Sequence, residues 1–111
     1  MTAKKNYNNN KNRKEMYEEI LNKKCIVRSY DAGVYYGMVV EVDGETVKMK
    51  NVRNIWRWEG ANCLADVATK GIQDGNVSRA VSSMVLNRCC QLIPCTEEAI
   101  NNLDNISVWK Y

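Results

Sequence analysis

The sequence predicts a small α+β domain, an antiparallel sheet curled toward a barrel and accompanied by two or three short helices. Three observations carry this. From Cys25 to Trp58 the residues follow a two-residue alternation, punctuated by the turn formers Asp31-Ala32-Gly33 and Asp43-Gly44. Beyond Glu59-Gly60 the apolar positions recur at three and four, the helical period. A chain of 111 residues has room for one hydrophobic core and no second domain.

The elements follow in order. Met16, Tyr17, Ile20 and Leu21 share one side of a predicted helix over 15–24, with Glu15, Glu18 and Glu19 early and Lys23 and Lys24 late, which complements the helix dipole. Residues 25–30 alternate Cys, Val and Ser against Ile, Arg and Tyr, and a second strand runs from Val34 to Val42. Asp43-Gly44 suits the left-handed torsions of a type I′ hairpin turn, so 45–50 is a third strand, and 51–58 is read as a fourth. In that fourth strand Asn54, Trp56 and Trp58 fall on one face and Arg53, Ile55 and Arg57 on the other.

Leu64, Val67 and Ala68 predict a helix over 61–70, ended by Gly71. Residues 72–87 resist assignment, because Asp74-Gly75-Asn76 signals a loop while Ala80, Val81, Met84, Val85 and Leu86 suit either helix or buried strand. Residues 88–93 read as a strand stopped by Pro94, Thr96 as the cap of a helix over 97–103, and 106–109 as a closing strand.

The formal net charge of +3 is unevenly spread. Of the 16 cations, Lys4, Lys5, Lys11, Arg13 and Lys14 lie in residues 1–14 without one acid, so residues 15–111 hold 11 against all 13 acids. The domain, 15–111, is therefore slightly acidic and the basicity belongs to the tail. That tail, rich in Asn with Tyr7 as its one aromatic, is too apolar-poor to offset chain ordering and is expected to be disordered. It serves either as an arm for nucleic acid or an acidic partner, or as a solubilising extension. No run of about 20 apolar residues needed for a membrane span is present, and no apolar stretch follows the tail's charges as in an export signal.

The chain contains no histidine, which removes the commonest general base and metal ligand. Neither GxxxxGK[ST] nor GxGxxG occurs, and Glu18-Glu19 and Glu97-Glu98 sit in first helical turns where the dipole accounts for them. Five cysteines, Cys25, Cys63, Cys89, Cys90 and Cys95, have no zinc-knuckle spacing and are expected to be free thiols. No catalytic residue, metal ligand or cofactor is assigned, so a binding module is expected rather than an enzyme.

The most unusual local feature is the run Arg53, Trp56, Arg57, Trp58 beside Tyr30, Tyr35 and Tyr36, in a chain without phenylalanine. Rings with polar handles next to arginines are how nucleobases and their phosphates are held. The candidate ligand surface is therefore Arg28, Tyr35, Trp56 and Arg57, with Arg53 beside them; the alternative is that the tryptophans are core.

Three stretches, residues 26–34 (IVRSYDAGV), 51–61 (NVRNIWRWEGA) and 93–99 (IPCTEEA), resemble a widespread family of small phage and prophage proteins, over about residues 25–110. Arg57 stands where such proteins usually carry an aromatic between the tryptophans, and Glu59 where a small hydroxyl residue precedes Gly-Ala. The family resembles anti-defence sponges, oligomers that bind the cyclic dinucleotide signals of bacterial CBASS immunity without cleaving them. The resemblance implies a homo-oligomer in the cytoplasm of an infected host, with a cyclic dinucleotide as ligand and no membrane partner. Two other readings stay open: a small phage structural or assembly protein, and a single-stranded nucleic-acid-binding barrel that uses the tail.

Overall fold

The computed structural model describes residues 15–110. The expected basic tail, 1–14, lies outside the described residues, as does Tyr111. The elements are β1 (Lys23–Ser29), β2 (Gly33–Asp43), β3 (Thr46–Glu59), α1 (Leu64–Lys70), β4 (Asp74–Val77), β5 (Val81–Leu86), β6 (Cys89–Pro94) and α2 (Glu97–Asn105). All strand pairs are antiparallel, in the order β4-β3-β2-β1-β6, with β5 alongside the first half of β3. The α+β antiparallel architecture matches the sequence; the path is open, with β6 at one edge and β4 and β5 at the other.

Alternation along β1 explains why both faces of the sheet are covered. Cys25 and Val27 point into one apolar cluster with Val39, Val47, Met49, Val52 and Leu86, roofed by Tyr17, Ile20 and Leu21. Ile26 points into a second cluster with Tyr36, Ile55 and Val77, roofed by Val67 and Ala68 of α1 and Ala99 and Leu103 of α2. Each fully buried aliphatic side chain here contributes about 1.5 to 3 kcal/mol, so neither roof is incidental.

Several expectations are corrected. The helix over 15–24 is two helical residues and then turns, because Lys23 and Lys24 are drawn into β1 and Asn22, at φ 63, donates its N–H to the Val39 carbonyl. The third and fourth strands are one strand of 14 residues. Asn51 lies in it with φ 53, and that left-handed residue transfers the apolar positions from the Val47–Met49 side to the Ile55 side. The hairpin after β2 has Asp43 paired with Thr46, so its loop is Gly44-Glu45, with positive φ at Gly44 and not at Glu45. Those signs fit type II′ rather than type I′. Residues 72–87 resolve into β4 and β5, and 106–109 form no strand, although Trp109 donates its N–H to Val77.

Helix α2 is fastened by polar contacts. Thr96 caps it by accepting from the Ala99 N–H, with Glu97 and Glu98 in the first turn. Asp104 accepts from Lys24 Nζ at 2.8 Å and from the Tyr36 hydroxyl at 2.7 Å. Burial opposes its charge, but the bonds from Lys24 and Tyr36 win and its carboxyl lies below the ordinary value. Burial, followed by the bond to Asp104, pushes the Tyr36 phenol upward. At the end of α1, Gly71 has φ 81, and a Cβ there would collide with the Asn102 amide, which bonds both N–H and C=O of Ile72 at 2.8 Å.

Candidate ligand pocket

The pocket of interest lies at the end of the sheet where β1 finishes, β2 begins and β3 finishes, covered by the start of α1. Its volume is about 580 Å³, within the range of small-molecule sites. The floor continues the helix-side core, since Val34, Trp58 and Leu64 pack against that cluster and also line the cavity. Arg28 alternates with the buried Ile26 on β1, which puts it on the same side, opposite Val34 in β2 and Gln91 in β6. Ser29, Tyr30, Gln91 and Cys63 complete the polar and aromatic lining.

Arg28 is the one member of the predicted ligand set that the pocket contains. Its guanidinium meets no carboxylate among the described residues. Tyr35 belongs to the opposite face, half-buried against the first cluster, because it follows the parity of Val27 rather than Arg28. Arg53 is 7 % exposed and spends its guanidinium on three carbonyls, those of Ser78 (2.9 Å), Leu103 (2.8 Å) and Ile106 (2.8 Å). Arg53 is therefore an internal strut between β3 and α2, a correction to its expected place at the ligand surface. Burial pulls its pKa below the ordinary value.

Trp56 is half-exposed and meets Trp109 edge to face at 5.9 Å, away from the pocket lining and not in the core. Arg57 already faces Asp74 at 3.4 Å, Glu59 at 3.6 Å and the Asn76 amide at 3.3 Å. The register shift between Ile55 and Arg57 is the cause: it turns Trp58 inward with Ile55 and leaves Arg57 at the β4 edge. Simple alternation through that bulge assigns Trp58 to the wrong side. Tyr30 and Trp58 stood in the aromatic run that drew notice in the sequence, but only the tertiary structure picks them from it; Gln91 and Cys63 carried no signal.

Two rings and a planar cation in a partly apolar cavity suit an aromatic ligand bearing negative charge. Burial raises the Cys25 thiol to about 11 and the Cys95 thiol to about 12, so these two stay protonated and poorly nucleophilic near neutral pH. Among the described residues no cluster of three or more Cys, Asp or Glu is placed to hold a metal ion, and no helix is long and apolar enough to cross a membrane.

A family model described as a domain of unknown function (DUF6948) matches residues 22–103, a span that holds every pocket-lining residue. The chain belongs to that family. No curated protein matches it in sequence. Among solved structures it is similar to a heptameric archaeal Sm protein, studied for its implications for the eukaryotic snRNP core, with 15 % identity and a TM-score of 0.51 over 74 % of this chain and 98 % of that one. The P. aerophilum SmAP1 heptamer is similar at 15 % identity and a TM-score of 0.51, over 74 % of this chain and 90 % of the other. At such identity the likeness is one of fold: an Sm-like antiparallel sheet, in this chain of six strands accompanied by two helices.

Proposed function

We propose that this protein is a non-enzymatic nucleotide-binding protein that holds a cyclic dinucleotide signal in the Arg28 pocket and works as a homo-oligomeric sponge in the cytoplasm of a phage-infected bacterium. The observation that carries this reading is the pairing of an arginine that has no carboxylate partner among the described residues with Tyr30 and Trp58 in one cavity of about 580 Å³. The rings stack on bases and the guanidinium meets a phosphate through two parallel N–H donors. The phage-family motifs support the choice of a cyclic dinucleotide over other anions, and both Sm-like neighbours are heptamers in their own crystals.

The sheet's geometry supports the oligomer and the expected curl toward a barrel. Leu86 pairs with Val47, itself opposite Val42, whereas Cys89 pairs with Ser29, itself opposite Gly33. In a flat sheet those pairings would place Leu86 and Cys89 about 30 Å apart along the strand direction alone, yet the link between them spans at most about 11 Å. A strong curl reconciles the two. It leaves β5 and β6 each with one strand neighbour among the described residues, and β5 presents Val81 and Val85 to solvent at 43 % and 57 % exposure. Open edges of this kind invite strand addition from a second copy.

A thermal-shift panel of cyclic dinucleotides and a short single-stranded RNA tests the reading, with isothermal titration of Arg28→Ala alongside. The expected result is stabilisation by a cyclic dinucleotide of about 2.7 kcal/mol at 100 times its dissociation constant, loss of that response in Arg28→Ala, and ligand recovered intact. A shift with the RNA alone would favour the single-strand-binding alternative, to which the Sm-like fold lends weight.

A further inference from the structure

We infer that Arg88 is a second cation of this pocket, held in reserve over Tyr30 by Asp31, and that the ligand taken there carries two phosphate groups, one for Arg28 and one for Arg88. The inference rests on the nucleotide reading of the Arg28 pocket. Arg88 occupies the two-residue connection from β5 to β6 at φ 53, a torsion that glycine or asparagine adopts with less strain than arginine. The turn itself therefore does not call for an arginine.

The side chain has a defined place. Its guanidinium lies 4.6 Å from the centroid of the Tyr30 ring, and the Tyr30 N–H donates to the Arg88 carbonyl at 2.9 Å, so backbone and side chain both hold the two residues together. Tyr30 is a wall of the pocket that Arg28 lines. Arg88 does not itself line the cavity; it lies over the Tyr30 ring at its margin, where Asp31 pairs it at 3.0 Å with both side chains more than half exposed. An exposed ion pair of this kind is weak and readily exchanged for a better anion. A phosphate can take two parallel N–H donors where Asp31 takes one, Nη1 to Oδ1, and it carries more charge, while the ring gives the released guanidinium a surface to slide along. The site thus sets two arginines against one carboxylate, and a single phosphate on Arg28 leaves the Arg88 pair undisturbed.

Titration calorimetry of the full chain with adenosine monophosphate, adenosine diphosphate and cyclic di-adenosine monophosphate tests this. Arg88→Gly is expected to leave the melting temperature unchanged or raised, because glycine suits the left-handed torsion. It should weaken at least one two-phosphate probe by about tenfold, the effect of losing one charge-assisted bond at an exposed site, while leaving the monophosphate alone. Asp31→Asn should strengthen that same two-phosphate probe severalfold by freeing Arg88, an effect no purely structural role would produce. If Arg28→Ala abolishes binding but Arg88→Gly and Asp31→Asn change nothing, or change mono- and two-phosphate probes alike, the inference falls and the pocket reading stands. If Arg28→Ala binds every probe like the natural chain, or no probe binds the natural chain, both fall.

Discussion

Replacing Arg53 with methionine keeps much of the length and the apolar stem of the side chain and removes the guanidinium that makes three hydrogen bonds. The structure sets the cost. Three carbonyls, on Ser78, Leu103 and Ile106, lose partners at 2.8 to 2.9 Å. The bond to Leu103 is buried and water cannot replace it, whereas those to Ser78 and Ile106 are partly buried and can be rehydrated in part. An orphaned buried acceptor costs about 1 to 3 kcal/mol and a rehydrated one less, and against this methionine avoids the desolvation of a guanidinium. The expected net loss is about 3 kcal/mol, which for a domain of this size lowers the melting temperature by about 12 to 24 °C. Urea unfolding followed by far-ultraviolet circular dichroism measures it. A loss under about 1 kcal/mol together with abolished nucleotide binding would refute the strut, and would return Arg53 to the ligand surface where its sequence neighbours first suggest it belongs.

Further outcomes are expected. Trp56→Ala should cost about 1 kcal/mol, the scale of one edge-to-face pair on a half-exposed ring, and not the 3 to 5 of a core aromatic, as chemical denaturation will show. Gly44→Ala and Gly71→Ala should separate two kinds of strain: at Gly44, φ 59 with open space around it, only the torsion is penalised at about 1 kcal/mol. At Gly71 the clash with Asn102 adds to the torsion, so its melting temperature should fall several times further. Because the Asp104 carboxyl sits below its ordinary 3.8, it supplies stability that is complete above that value and lost as pH falls through the folded-state pKa. Asp104→Asn should therefore flatten the decline in stability below about pH 4, measured as melting temperature against pH.

How much of this molecule was legible beforehand depends on how local each determinant is. The alternation of Cys25 to Ser29, the capping of α2 by Thr96 and the helical spacing of Leu64, Val67 and Ala68 depend on neighbours a few residues away, so composition and period located all three. The placement of Arg28 on the face of Ile26 followed from the same alternation, and it is the one predicted ligand residue that lines the pocket. Tyr35, two residues after Gly33, obeyed the same rule in the other direction and went to the opposite face.

What failed did so at irregularities that a single sequence does not mark. A left-handed Asn51 and a bulge after Ile55 each shift the parity of β3, and between them they decide that Trp58 lines the pocket, Trp56 stays half-exposed and Arg57 turns to Asp74. Arg53 looks like a surface cation because its neighbours do not show that the carbonyls of Leu103 and Ile106 arrive some fifty residues later to bind it. The sequence by itself determined the strand and helix periods, the charge division between tail and domain and the lack of histidine chemistry, all of which are properties of short segments or of composition. The tertiary structure decided which arginine is spent internally and which lines a cavity with no carboxylate partner among the described residues, because a guanidinium's place is set by the acceptors that long-range packing brings within 3 Å of it.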